Sequence, residues 1–289
     1  MNIRDIQVKN VCIAGLSIGA RQSPLLISGP CVLEDIETAL TIGAFMAGAA
    51  KDYGFSYMFK ASFDKANRTS IRSYRGPGLV KGLEMLSIIK KELNVPVISD
   101  VHTPDQVDAV ARVLDCIQIP AFLCRQTDIL RAAAQTGLPI NIKKGQFMAP
   151  WDMKHAVAKI KDSGNDQVIL TERGTCFGYN NLVVDMRSLS IMKEFGAPVV
   201  FDATHSVQLP GGGDGCSSGQ REFVPTLARA AMAVEVDGIF LEVHTNPDKA
   251  LCDGPNSLSL EAAADLLKVL SRIRQAIILD IESPDGTYR

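Results

Sequence analysis

The sequence predicts an α/β protein, a (β/α)₈ TIM barrel of 289 residues with a short N-terminal β-hairpin, and two observations carry that prediction. The first is a series of eight short apolar runs: LLISGPC at 25–31, YMFKAS at 57–62, PVISDVH at 96–102, CIQIPAF at 116–122, PINIKKG at 139–145, VILTERG at 168–174, PVVFDATHS at 198–206 and GIFLEVH at 238–244. Each runs into charged or polar residues. A parallel strand is covered on both faces, so it reads as a near-continuous aliphatic stretch. The second observation is a helical stretch after each run. Alternation of this kind selects a parallel barrel. An open doubly wound sheet is the alternative, but no GxGxxG follows the first run. The chain length suits one barrel domain over 1–289, with 1–24 as a hairpin extension.

The elements follow in order. IQVKNVCIAG and LSIGAR predict the hairpin, with Ala14 and Gly15 as its turn, placed to plug the bottom of the barrel. Helices are expected over 34–51, 79–93, 104–114, 127–136, 153–163, 183–195, 222–236 and 259–278. In the first, Ile36, Leu40, Ala44 and Ala47 share a face; in the second, Leu79, Leu83, Leu86 and Ile89 do. Thr103-Pro104 fits a cap followed by an N1 proline, Pro150 fits a second N1 proline, and Gly137 fits a position just past a helix end. Two segments break the pattern. DKANRTSIRSYRGP at 64–77 is a long basic loop, and LPGGGDGCSSGQ at 209–220 reads as a flexible, unpacked lid over the active face.

Composition narrows the function classes. A net charge of −2 and 46% hydrophobic residues fit a soluble globular protein and give no support to nucleic-acid or membrane-surface binding. No apolar run reaches the roughly 18 residues of a membrane span, and the N-terminal segment lacks a signal-peptide core, so a cytoplasmic protein is expected. Seven cysteines without CxxC spacing argue against a disulfide framework. Cys12, Cys116 and Cys176 read as buried small hydrophobes.

In a barrel enzyme the site is built from strand ends. Lys60, Lys65, Arg68, Lys143 and Arg173 converge there, with Arg72 and Arg75 nearby. An unpaired ammonium at a strand end is costly, so these cations call for anionic ligands, most simply phosphates and a carboxylate. Internal pairing with Asp100, Glu172, Asp202 or Glu242 absorbs some of them. A second group is Cys31, His205, Glu242 and Asp253. Runs one and eight adjoin when a barrel closes, and thiolate, imidazole and two carboxylates suit Zn²⁺, Fe²⁺, Mn²⁺ or Co²⁺. His205 could equally be a general acid or base, and Cys31 a buried thiol.

Six strings carry a closer resemblance: KASFDKANRTS at 60–70, QIPAFLCRQTD at 118–128, NIKKGQFMAPWD at 141–152, LTERGTCFGYNNLVVDMRS at 170–188, DATHSVQLPGG at 202–212 and REFVPTLARAA at 221–231. In these the chain resembles the 3-deoxy-D-manno-octulosonate 8-phosphate (Kdo8P) synthases, or 2-dehydro-3-deoxyphosphooctonate aldolases. The related heptulosonate 7-phosphate synthases have a Lys-Pro-Arg-Thr type motif where this chain has KANRTS.

The resemblance implies a cytoplasmic homotetramer that condenses phosphoenolpyruvate with D-arabinose 5-phosphate in lipopolysaccharide biosynthesis. It implies no organic cofactor. Lys143 and Arg173 would bind the phosphoenolpyruvate phosphate. Lys60, Ser62 and Lys65 would hold its carboxylate and reacting region, and Asn67, Arg68 and Thr69 would take the sugar phosphate. Asp100, Gln118 and the Ala121 backbone would line the floor between the substrates. Lys60, Lys65, Asp100, His205 and Asp253 form the expected catalytic group. Cys31 rather than Asn at its position implies the metal-using branch, with Cys31, His205, Glu242 and Asp253 as ligands. LCDGPN at 251–256 is closer to the metal-independent branch.

Overall fold

The computed structural model describes residues 6–20, 22–212 and 218–282. Eight parallel strands close into a barrel: β1 (Leu25–Gly29), β2 (Ser56–Lys60), β3 (Val97–Asp100), β4 (Cys116–Ile119), β5 (Ile140–Lys143), β6 (Val168–Glu172), β7 (Val199–Asp202) and β8 (Gly238–Glu242). Strands adjoin in chain order. The ring closes where β8 pairs with β1, with Glu242 opposite Gly29, as expected for the first and last runs. Any side chain at Gly29 would run into the Lys60 carbonyl, so glycine permits the two backbones to approach there.

Among the described residues eight α-helices surround the ring: α1 (Ile36–Asp52), α2 (Leu79–Leu93), α3 (Val107–Val110), α4 (Thr127–Gln135), α5 (Met153–Asp162), α6 (Arg187–Lys193), α7 (Val224–Ala233) and α8 (Leu260–Glu282). Asp35 caps α1 by accepting from the Thr38 N–H at 2.8 Å. Gly137, with φ of 73°, follows the end of α4 as expected. Among the described residues no helix is long and apolar enough to cross a membrane.

The hairpin pairs Val11–Ile13 with Leu16–Ile18 through Ala14 and Gly15. Both turn residues have positive φ, 45° and 86°, the twist that suits a two-residue hairpin turn. Val11, Ile13 and Ile18 pack into one cluster with Leu25, Ile27, Met58, Ile98, Cys116, Ile169, Val200 and Phe240. These strand residues point into the barrel, so the hairpin stops its lower end.

Several expectations need correction. The apolar face of α1 is Ala39, Ile42, Gly43, Met46, Ala49 and Ala50, and Ala44 is exposed. The region 104–114 forms a 3₁₀ turn (Pro104–Gln106) and one α-turn, and Thr103 makes no side-chain cap bond. The 183–195 helix begins only at Arg187, because Leu182–Val183 pairs antiparallel with Thr175–Cys176. Positive φ at Gly178 and Asn180 turns that ribbon. Cys12 and Cys176 are exposed, whereas Cys116 is buried; strand alternation turns Cys12 away from the core. The flanks of the 209–220 loop are zipped, with Gln208–Leu209 paired to Ser218–Gly219, and its residues 213–217 lie outside the described residues.

Candidate active site

The inward register of the lower core continues up each strand with period two. Above Met58 stands Lys60, above Ile98 Asp100, and above Cys116 Gln118. Likewise Arg173 follows Ile169 and Thr171, Asp202 follows Val200, and Glu242 follows Phe240. On β5 the outward residues Ile140 and Ile142 leave Asn141 and Lys143 facing inward. The upper barrel is therefore polar because the apolar period continues with polar residue types.

Hydrogen bonds stitch this layer together. Ser62 donates to Asp100 at 2.7 Å, and the Gln118 amide also donates to Asp100. Asn141 donates to Gln118 at 3.0 Å and Thr171 to Asn141 at 2.6 Å. Burial alone would raise the Asp100 carboxyl, but the Lys60 and Lys65 ammoniums and the Ser62 hydrogen bond hold it well below the usual carboxylate range. Lys60 donates to Ser62 at 3.0 Å and to the Cys31 carbonyl at 3.2 Å.

Two adjoining cavities of about 260 and 230 Å³ open above this layer. Lys60, Lys65, Asp100, Gln118, Ala121, Lys143 and Arg173 line the first. Asn67, Arg68 and Thr69 line the second, beside Pro210 and Gly211 from the base of the glycine-rich loop. Lys65, Asn67, Arg173 and His205 border both. Arg72 and Arg75 stand apart: Arg72 is exposed and Arg75 pairs with Asp64 at 2.5 Å on the surface.

Part of the positive charge is balanced internally. Lys143 pairs with Asp202 at 2.5 Å and Lys60 lies 3.6 Å from Glu242. Burial pulls the Lys143 ammonium below its ordinary value against the opposing pull of Asp202. Arg173 spends Nη2 on Gln208 at 2.7 Å, while its buried Nη1 has no partner among the described residues. A buried donor left unmade costs about 1–3 kcal/mol or more, so this atom favours an incoming acceptor.

The metal-type residues also meet. Cys31 Sγ lies 3.0 Å from Asp253 Oδ2, and His205 Nε2 lies 3.4 Å from Glu242 Oε1 and 3.8 Å from Asp253 Oδ2. His205 Nδ1 sits 2.8 Å from Asp202, a contact that orients the ring and turns Nε2 toward the two acids. Glu242 is fully buried, and neither carboxylate oxygen has a hydrogen-bond partner among the described residues. Convergent sulfur, nitrogen and oxygen donors around an unsatisfied buried carboxylate fit a divalent cation. Burial, Cys252 and the nearby acids keep the Cys31 thiol well above its ordinary value without such a cation. Burial would lower Lys65, but Cys31, Cys252, Glu242 and Asp253 together raise it well above its ordinary value.

Sequence reasoning missed three participants. Gln208 bridges Arg173 and Asp253, accepting from one and donating to the other at 3.1 Å. Gln146 and His102 line the first cavity with a buried Oε1 and Nδ1 lacking partners among the described residues. Each follows a strand end by only a few residues, which was the available signal.

A family model described as the DAHP synthetase I family matches residues 5–278. A 2-dehydro-3-deoxyphosphooctonate aldolase of Desulfotalea psychrophila is 59% identical over 260 residues, covering 90% of this chain and 93% of that protein. The protein of that name from Nitratidesulfovibrio vulgaris is 60% identical over 248 residues, covering 86% and 91%. That of Geobacter metallireducens is 57% identical over 265 residues, covering 92% and 97%. The chain belongs to the DAHP synthetase I family, among its 2-dehydro-3-deoxyphosphooctonate aldolases.

Proposed function

We propose that this chain condenses phosphoenolpyruvate with D-arabinose 5-phosphate and water, giving Kdo8P and inorganic phosphate. The observation that carries the reading is the pair of adjoining cation-lined cavities, which suits two anionic substrates reacting across a shared border. The names of the relatives support the same reaction.

In this reading Lys143 and the free face of Arg173 take the phosphoenolpyruvate phosphate, displacing part of the internal pairing with Asp202. Lys60, Ser62 and Lys65 hold the carboxylate and reacting carbons, while Asn67, Arg68 and Thr69 take the 5-phosphate. Asp100 and Gln118 fix the floor with the Ala121 backbone. C3 of phosphoenolpyruvate attacks the aldehyde carbon, and water adds at C2. The aldehyde oxygen gains a proton and the water loses one. The hemiketal phosphate then collapses by C–O cleavage and releases phosphate. Lys60 and Lys65 stabilise the developing alkoxide from fixed positions. His205 and Asp253 border the second cavity, and this reading assigns them to the water that adds at C2.

Cys31, His205, Glu242 and Asp253 would hold the divalent ion. When bound, zinc, iron, manganese or cobalt supplies Lewis acidity toward water or a carbonyl oxygen. The reading includes one barrel domain over the whole chain, a homotetramer and a cytoplasmic setting, with no organic cofactor and no nucleic-acid or membrane partner.

The test is phosphate release from phosphoenolpyruvate, with arabinose 5-phosphate and erythrose 4-phosphate run in parallel. Turnover with the pentose phosphate, and at most a trace with the tetrose, is expected. Preference for the tetrose would assign the heptulosonate reaction instead. Release with neither aldehyde would leave a barrel that binds phosphosugars without reacting them.

A further inference from the structure

Cys252 has no role in the reaction above. It is a buried free cysteine on the loop after β8, immediately before Asp253. Its Sγ lies 3.5 Å from Asp253 Oδ2, the same oxygen that Cys31 Sγ approaches at 3.0 Å. The two sulfurs and an Asp253 oxygen lie within 4.8 Å of one another, as do His205, Glu242 and Asp253 in a second group. Asp253 is the shared corner, so five donor side chains converge where four were expected.

Two observations distinguish this cluster from a chance pair of thiols. Glu242 is fully buried beside it, with both carboxylate oxygens lacking hydrogen-bond partners among the described residues, so the cluster holds acceptors that a cation would satisfy. Arg68 Nη1 donates to Cys252 Sγ at 3.0 Å and its Nη2 donates to the Leu251 carbonyl at 3.1 Å, so the guanidinium holds the sulfur in place beside Asp253. The cysteine therefore faces a cation donor on one side and the metal corner on the other.

We infer that Cys252 is a second sulfur ligand of the metal corner, so that Cys31 and Cys252 together make it a two-thiolate site selective for zinc or cobalt over manganese. The inference rests on the metal reading in the proposed function. Soft thiolates select thiophilic ions, whereas an imidazole and carboxylates with one sulfur discriminate less. Both thiols lose their protons when the ion binds.

The experiment loads the reduced full-length protein with cobalt(II) alone. It reads bound cobalt and the near-ultraviolet thiolate-to-cobalt charge-transfer band. The variants are Cys252→Ser, Cys252→Ala, Cys31→Ser and the double serine variant, each checked for an unchanged melting profile. The band should fall by about half in either Cys252 variant, persist at about half in Cys31→Ser, and vanish only in the double variant. Loss of the second sulfur should also lower the zinc-over-manganese affinity ratio at least tenfold, within the usual range for a change around a metal site. A full band in both Cys252 variants, together with its complete loss in Cys31→Ser, overturns the inference and leaves a one-sulfur metal site. Absence of bound cobalt in the unmodified protein overturns both the inference and the metal reading.

Discussion

Arg173 Nη1 is buried without a partner, while Nη2 is held by Gln208. This places a half-used fork at the floor of the first cavity, and substrate binding would complete it. Arg173→Ala should lower kcat/KM for phosphoenolpyruvate by about 30-fold to several thousand-fold, the rate equivalent of about 2–5 kcal/mol for truncating a buried charged partner. Arg173→Lys should restore little of it, since a point charge does not reproduce the fork. Steady-state phosphate release measures both, and an unchanged KM and kcat in the alanine variant would remove Arg173 from the phosphate site. Cys31 carries a separate expectation. Cys31→Asn should sharply reduce the metal retained after dialysis, read by elemental analysis. In the unmodified protein, a strong chelator should abolish turnover and Mn²⁺ or Zn²⁺ should restore it. Full activity of a metal-stripped preparation would exclude the requirement.

At the level of elements, α1 illustrates both what the sequence disclosed and what it concealed. Its extent was readable, since 34–51 was expected and Ile36–Asp52 is found, but the Asp35 cap that starts it went unnamed. Its buried face was not, because the helix is rich in small apolar residues on every side and spacing alone does not choose among them. The contacts of α1 with β1, β2, α2 and α8 make that choice. The strand ends were more legible, since period two assigns every inward residue once the register of the core is known. The belt from Gln118 through Asn141 to Thr171 was not legible, because cross-strand partners depend on a register that no single strand encodes. Gln208 and Cys252 escaped for a related reason: both act from loops whose paths are set by tertiary pairing.

The cap gives a prediction at this scale. Asp35→Ala should cost about 1 kcal/mol at neutral pH. Hydrogen bonds from the Thr38 backbone and side chain hold the Asp35 carboxyl below its ordinary value against a small burial effect. A depressed folded-state value means that this stabilisation is complete above the unfolded carboxyl range of about 3.9 and is lost as pH falls through the lower folded value. Denaturant midpoints of the two proteins should therefore converge only in strong acid. A gap independent of pH would show that the charged cap contributes nothing.

For the whole molecule, the closed ring and shared core predict that chain 1–289 unfolds as one cooperative unit. Calorimetry of the monodisperse protein should give a single transition. Two resolved transitions would contradict the one-domain proposal. Light scattering should find a species of four times 31.2 kDa, and a lone protomer would remove the tetramer from the reading.

The hairpin has a consequence for traffic through the barrel. With Val11, Ile13 and Ile18 packed against the inward strand residues at the lower end, the described residues leave the barrel open toward its upper end. Lys60 and Lys143 lie at the base of that opening, 1% and 6% exposed, whereas Asn67 and Thr69 stand exposed at the rim. A ligand seated at the rim obstructs the path of one bound for the base. Under the substrate assignments proposed above, phosphoenolpyruvate should enter before the sugar phosphate, and an excess of arabinose 5-phosphate should trap a dead-end complex that more phosphoenolpyruvate relieves.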